Sequence, residues 1–244
     1  MKNIVVIGGN RGVGFEVVKS CLKMGYRVAF TGKEDQIKFR EEQHDKIIYG
    51  CFDLKDTRKA IEFIEEVIDK WKKIDAVVFY AGITPLSSLI DCNEELFDDI
   101  FSINLKSTFF ITQATIKNMI NNGGGSFVFF GTPHMESGQI DRAAYAISKG
   151  GLKTLSEHLA RRYAQFKIRS NIVVMGWTPT EGEIELRSSL GVSKEDLISK
   201  ASDCIPMGRM LTVNDPVPTV LHFLSDESSM ITGSVVRITG GEFI

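Results

Sequence analysis

Seven short runs rich in β-branched and other apolar residues punctuate the chain, at 3–7, 28–31, 46–49, 76–80, 127–130, 172–175 and 235–238. They are apolar on consecutive positions rather than alternate ones, which predicts strands buried on both faces. Between them, polar and apolar residues recur at helical spacing over 14–24, 57–71, 94–121, 145–166 and 215–225. Asp56-Thr57 offers an N-cap to the second of these helices, and Asn121-Asn122-Gly123 stops the third. Residues 102–105 interrupt the third pattern, so 94–121 is expected as two helices joined near Asn104.

Strands alternating with helices imply right-handed βαβ connections and a parallel sheet covered on both faces. No Pro/Ser-rich linker, charge block or fixed-period repeat divides the sequence. One doubly wound α/β domain over 1–244, with a mostly seven-stranded parallel sheet flanked by helices, is the expected architecture. The least regular region is 176–210, with helices of ill-defined bounds over 181–202. A segment of this kind late in the chain suits a substrate lid, assigned to 181–210.

Composition narrows the function classes. Hydrophobic residues at 43% and charged residues at 25% are ordinary for a globular protein. A formal charge of −2 and a pI near 6.1 give no general pull toward nucleic acid or anionic membrane. The apolar start at 4–7 is too short for a signal peptide, and no run approaches the roughly 20 residues that span a bilayer. Cys21, Cys51, Cys92 and Cys204 are scattered, with no pair at metal-ligand spacing. The expectation is a reduced, cytoplasmic protein without a metal.

Two stretches carry chemistry. The first strand runs into Gly8-Gly9-Asn10-Arg11-Gly12-Val13-Gly14, and a helix follows. Glycines there allow a sharp bend and a close backbone approach, and the helix start offers free N–H groups to a pyrophosphate. The second predicted strand ends in Gly32-Lys33 where an NAD-preferring site usually carries an acid. Lys33 and Arg11 instead suit a 2′-phosphate of about −1.5 to −2 charge, so NADP(H) is preferred and NAD(H) kept as the alternative. The second stretch holds Thr132 at a strand end, Tyr145 thirteen residues later, and Lys149 four residues beyond. On a helix Tyr145 and Lys149 share a face. A neighbouring ammonium would lower the pKa of the phenol and fit it for proton exchange with a carbonyl or alcohol oxygen, to which Thr132 also reaches.

Taken together, these motifs resemble the short-chain dehydrogenase/reductase family over nearly the whole chain. The glycine turn, Asp53-Leu54 after the third strand, Ala81-Gly82 after the fourth, Asn104, Thr132 and the Tyr145-x3-Lys149 pair stand in the family's order and spacing. So do 176–180, and Ile231-Thr232-Gly233 with Gly240-Gly241. The resemblance implies a Rossmann-type fold in which Asp53 and Leu54 contact adenine. Gly176, Thr178 and Thr180 would hold the nicotinamide, and Lys149 the ribose. It also implies that Asn104 holds a water linking Lys149 to solvent, and that the chain forms a homotetramer or homodimer.

The sequence departs from the family pattern at four places. Thr132 replaces a serine, Ile7 a threonine, Phe79-Tyr80 an asparagine pair, and Met175 a proline. The catalytic hydroxyl survives, so activity is expected, with a narrower pocket. The nearest resemblance is to 3-oxoacyl-carrier-protein reductases and sugar or polyol dehydrogenases. A basic group expected near the entrance of the former is replaced by Asn121-Asn122-Gly123-Gly124-Gly125, and the segment after Thr180 is longer. Both favour a small, free carbonyl substrate enclosed from water. His134, Met135 and Glu136 are expected to border the pocket, His134 more as a solvated loop residue than as a substrate ligand. Trp177 is expected near the nicotinamide or in the core. Arg161, Arg162, Lys167 and Arg169 read as a solvated face. The favoured function is an NADPH-dependent reductase of a ketone or aldehyde. The alternatives are an NAD-dependent alcohol or polyol dehydrogenase and a non-catalytic nucleotide-binding sensor.

Overall fold

The computed structural model describes residues 1–34, 45–138 and 140–242. Its strands are β1 (Asn3–Ile7), β2 (Arg27–Gly32), β3 (Ile47–Cys51), β4 (Ala76–Phe79), β5 (Gly125–Gly131), β6 (Ile168–Met175) and β7 (Val235–Ile238). They form one seven-stranded sheet in the order β3-β2-β1-β4-β5-β6-β7, parallel throughout. Strand order reverses between β1 and β4, and a doubly wound sheet opens a crevice at the carboxyl ends beside that point.

The unbroken apolar runs are explained by the two layers that cover this sheet. Val5, Ile7, Val77, Phe79, Phe127 and Phe129 face one core, and Ile4, Val6, Val28, Val78, Val128 and Phe130 face the other. Helices α1 (Gly12–Lys23) and α9 (Val217–Leu224) pack on the second side. Helices α2 (Thr57–Trp71), α4 (Ser107–Asn121) and α6 (Ala143–Tyr163) cover the first. The remaining helices are α3 (Glu94–Phe101), the single turn α5 (His134–Ser137), α7 (Glu181–Ser189) and α8 (Lys194–Cys204). The last two lie in the expected irregular region. There Leu197, Ala201, Ile205 and Met210 form a small cluster of their own against Trp177. Among the described residues, no helix is long and apolar enough to cross a membrane.

The two helices expected over 94–121 are α3 and α4, joined near Asn104 by a π-helical segment, Ser102–Lys106, which shifts the phase of the pattern without breaking it. Two local differences from the sequence reading have physical causes. Strand β4 stops at Phe79 because the N–H groups of Tyr80 and Ala81 both donate to the Ile7 carbonyl, at 3.1 and 2.8 Å. Strand β6 begins at Ile168 rather than 172, although Arg169 and Asn171 look unsuited to a buried strand. Their side chains find carbonyl partners: Arg169 donates to Phe223 and Ser225, and Asn171 to Ile231.

Candidate functional site

A cavity of about 930 Å³ opens at the carboxyl ends of the strands and runs from the glycine turn to α7. Gly8, Asn10, Arg11 and Gly12 line its first end. Helix α1 starts there without a side-chain cap and without an acidic residue in its first turn, so its leading N–H groups are available to an anion. A Cβ on Gly14 would run into the Gly8 carbonyl and the Tyr80 ring, so only glycine permits this turn. Val13 is fully buried in the core, and neither it nor Gly14 lines the cavity. Any contribution of this pair to a ligand comes through the backbone. Ile7 also faces the core, and Thr31 of the neighbouring strand supplies the local hydroxyl, accepting from Gly8 N at 3.0 Å.

At the same end the two expected cations differ. Arg11 has no side-chain partner among the described residues, whereas Lys33 pairs with Asp53 at 2.8 Å. Asp53 also accepts from Lys55 N at 2.9 Å. Partial burial raises its pKa, but the bonds from Lys33 and Lys55 outweigh this and hold the carboxyl below its usual value. Phe52 and Leu54 line the cavity and Asp53 does not, while Glu34, which the sequence reading passed over, does. The carboxylate missing at position 33 therefore stands one residue later.

The Phe79-Tyr80 pair divides between core and cavity. Phe79 stacks on Phe129 with centroids 4.9 Å apart and planes 3° from parallel. Tyr80 lines the cavity, meets Phe130 edge-on at 5.2 Å, and places its hydroxyl beside Gly12. Ala81 and Gly82 follow on the cavity wall. Asn104, fully buried behind them, clamps this wall. Its Oδ1 accepts from Ile83 N at 2.8 Å, and its Nδ2 donates to Ile83 O at 2.9 Å and to Ser148 Oγ at 3.1 Å. A Cβ on Gly82 would stand 3.1 Å from Asn104 Oδ1 and 3.5 Å from Lys149 Nζ, so backbone, amide and ammonium meet closely there. Asn104 acts on the wall rather than lining the cavity itself. Ser148, missed in the sequence, links the clamp to α6 by donating to the Tyr145 carbonyl at 2.7 Å.

The chemical end brings Thr132, Tyr145 and Lys149 together. Thr132 directly follows β5, accepts from His134 N at 3.4 Å, and lies near enough to Tyr145 to favour its phenolate. Lys149, 5% exposed, donates to the Phe130 carbonyl at 3.0 Å, with its Nζ 5.9 Å from the Tyr145 ring centroid. Burial lowers the Lys149 pKa to about 8. The Tyr145 phenol is raised rather than lowered: burial dominates, opposed by Thr132 and by the charge of Arg142.

Beyond this group, His134 is partly buried and lines the cavity rather than lying in a solvated loop. Burial, and then the charge of Arg142, lower its pKa. Met135 packs against Gly131 and the core, and Glu136 turns away to ion-pair with Arg237 and Lys153. Neither lines the cavity, so α5 supplies one wall residue where three were expected. Gly176, Thr178, Thr180 and Trp177 do line it, as does Met175. Thr180 caps α7 by accepting from Glu183 N at 3.3 Å. Trp177 Nε1 and Arg187 Nε both donate to Glu183 Oε1, at 3.1 and 2.9 Å, with the guanidinium over the indole. Arg161, Arg162 and Lys167 are exposed as expected, while Arg169 is held inside by its two carbonyls.

Comparison with known proteins agrees with the fold. Residues 7–242 match the family model described as enoyl-(acyl carrier protein) reductase. A 3-oxoacyl-(acyl-carrier-protein) reductase of Buchnera aphidicola is 30% identical over 245 residues, covering 100% of this chain and 98% of that protein. A 3alpha-hydroxysteroid dehydrogenase of Mediterraneibacter gnavus is 31% identical over 98% of this chain and 96% of its own. Among solved structures, a short chain dehydrogenase family protein of Francisella tularensis superposes with a TM-score of 0.85 at 26% identity. That alignment covers 99% of this chain and 98% of the other.

Proposed function

Because the chain belongs to the short-chain dehydrogenase/reductase family, we propose that it is an NADP(H)-dependent reductase of a ketone or aldehyde. The observation that carries this reading is the meeting of Thr132, Tyr145 and Lys149 on one wall at the far end of a cavity that begins at an uncapped helix start.

A dinucleotide fits the residues present. The glycine turn and α1 would take the pyrophosphate, Leu54 the adenine side, and Ala81, Gly82, Gly176, Thr178 and Thr180 the walls of the nicotinamide half. When bound, such a cofactor supplies the hydride. The rest falls to the chain. Thr132 and Tyr145 hold the substrate oxygen, and Tyr145 gives it a proton as carbon is reduced. Lys149, with a pKa of about 8, carries a proton for much of its time at neutral pH and can help restore the phenol. Asn104 keeps the 81–83 wall in register with α6 through its bonds to Ile83 and Ser148.

Arg11, without a partner among the described residues, supports NADP(H). Two observations favour NAD(H) as the second reading: Lys33 is already engaged by Asp53, and Glu34 stands on the cavity wall. Phe97, Phe109 and Ile147, apolar and 40–57% exposed on α3, α4 and α6, support a homodimer or homotetramer.

Carbonyl-dependent oxidation of NADPH tests the reading. Tyr145→Phe should lose about 10²–10⁴ in kcat while its affinity for NADPH, read by fluorescence, holds. A Tyr145→Phe enzyme that still turned over at the wild-type rate would remove the tyrosine from its role. Cofactor binding with no turnover over a broad carbonyl panel would favour a nucleotide sensor instead.

A further inference from the structure

The wall next to Tyr145 carries a cation that the reduction of a neutral ketone does not require. Arg142 lines the cavity one helical turn before Tyr145. Its backbone is fixed from two sides. Ser87 bridges to it and donates to the Asp141 carbonyl at 2.7 Å, and the Arg142 carbonyl accepts from Ala146 N at 2.9 Å. Among the described residues its guanidinium makes one hydrogen bond, from Nη1 to Thr84 Oγ1 at 3.1 Å. Nε is cut off from solvent with no acceptor, and among the described residues no carboxylate pairs with the side chain.

Three other charged groups on the cavity wall, Glu183, Arg187 and Asp141, stand differently. Glu183 is occupied by Trp177 and Arg187, and Arg187 is thereby neutralised. Asp141 lines the cavity too but forms no ion pair with its neighbour. A partly buried guanidinium without a counter-ion is unfavourable unless an anion arrives. Its Nη N–H groups beyond the one given to Thr84 are the donors left for a carboxylate, the anion that a guanidinium matches best. His134 stands beside it on the same wall, within reach of its charge.

We propose that Arg142, assisted by Thr84 and His134, is the carboxylate subsite of this cavity, and that the substrate is a short oxo acid. The carboxylate sits on Arg142 while the carbonyl, a few bonds away, sits between Thr132 and Tyr145. This rests on the reductase reading for the carbonyl but not for the anion. In the balanced reaction the carbonyl carbon takes hydride from the reduced nicotinamide, its oxygen takes the Tyr145 proton, and the carboxylate is unchanged.

Binding and turnover are measured separately on the full chain in the presence of NADP+ or NADPH. In the binding arm, ligand-observed NMR compares butanoate with its methyl ester. Wild type should hold butanoate at least about tenfold tighter, and Arg142→Gln should lose about 10- to 100-fold of that affinity. Arg142→Lys, which keeps the charge, should retain part of it. Equal affinity for acid and ester, or undiminished butanoate binding by a folded Arg142→Gln, overturns the subsite. So does a change confined to the pH profile of turnover, which would show Arg142 acting only on the phenol. Should Arg142→Gln fail to fold, the wild-type acid-to-ester ratio and Arg142→Lys still decide. In the turnover arm, a panel of short oxo acids is set against their methyl esters, and the acids should be preferred. Turnover of esters alone overturns this inference and leaves the reductase standing. Butanoate binding through Arg142 with no carbonyl reduced leaves the subsite standing and removes the reductase.

Discussion

Restoring the family's asparagine at position 79 should unfold the protein at far lower denaturant. Phe79 is 2% exposed, stacked on Phe129 at 4.9 Å and near Phe127 at 6.4 Å. Truncating a buried phenylalanine costs about 3–5 kcal/mol, of which the stacked pair accounts for about 0.5–1.5. An asparagine refills part of the space but brings an amide into a wall of aromatic rings, where an unsatisfied group costs about 1–3 kcal/mol. These partly offset and leave a loss of about 4 kcal/mol for Phe79→Asn, against a total stability of about 5–15. With a urea slope of about 2 kcal/mol per molar, the midpoint falls by about 2 M. The assay is equilibrium urea unfolding followed by both fluorescence and far-UV circular dichroism. Tyr80→Asn, at a cavity-facing residue, should move the midpoint by less than half as much. If Phe79→Asn proves too unstable to purify, Phe79→Leu should still lower it by up to about 1 M. A Phe79→Asn midpoint within about 0.5 M of wild type would show that this ring is not a structural member of the core.

Three further outcomes are expected. Lys149 has a folded pKa of about 8 against an unfolded 10.5, so burying its ammonium destabilises the fold below pH 8, and the penalty fades between 8 and 10.5. Relative to Lys149→Met, wild type should therefore gain up to about 3 kcal/mol of stability as pH rises from 7 to 10.5; a pH-independent difference in chemical melts would contradict the burial argument. Thr132→Ser should keep activity within about tenfold of wild type, whereas Thr132→Ala should lose about 10²–10³ in kcat, as removal of an oxyanion donor does; steady-state kinetics separates them. Arg11→Ala and Lys33→Ala should each weaken NADPH binding more than NADH binding, and Glu34→Gln should do the reverse; an NADPH-to-NADH affinity ratio unmoved by all three would place the discriminating contact elsewhere.

The parts legible in the sequence are those set by neighbours along the chain. The apolar runs mark the strands because burial on both faces leaves no polar alternation. The glycine turn is readable because Gly14 must meet the Gly8 carbonyl six residues back. Tyr145 and Lys149 are found from one helical turn. What was not legible depends on pairs far apart in sequence. The Lys33–Asp53 ion pair joins the ends of two strands, and the Glu136–Arg237 pair draws a residue of α5 to β7 and out of the cavity. Arg142 drew no notice in the sequence, because Thr84 and Ser87, from the loop after β4, are what fix it on the wall. The π-helical segment was visible only as a disturbance, since an irregular pattern does not distinguish a broken helix from a widened one.

The two cores on either side of the sheet carry a consequence for how changes combine. Val5 and Val6 are joined by a peptide bond, yet each contributes to a different core. Losses at such neighbours should simply add, whereas Val5 and Val77, paired across two strands, should show coupling. Mutational tolerance in this chain is thus organised by parity along each strand, so that two independent inventories of compensating changes are interleaved within the same few residues.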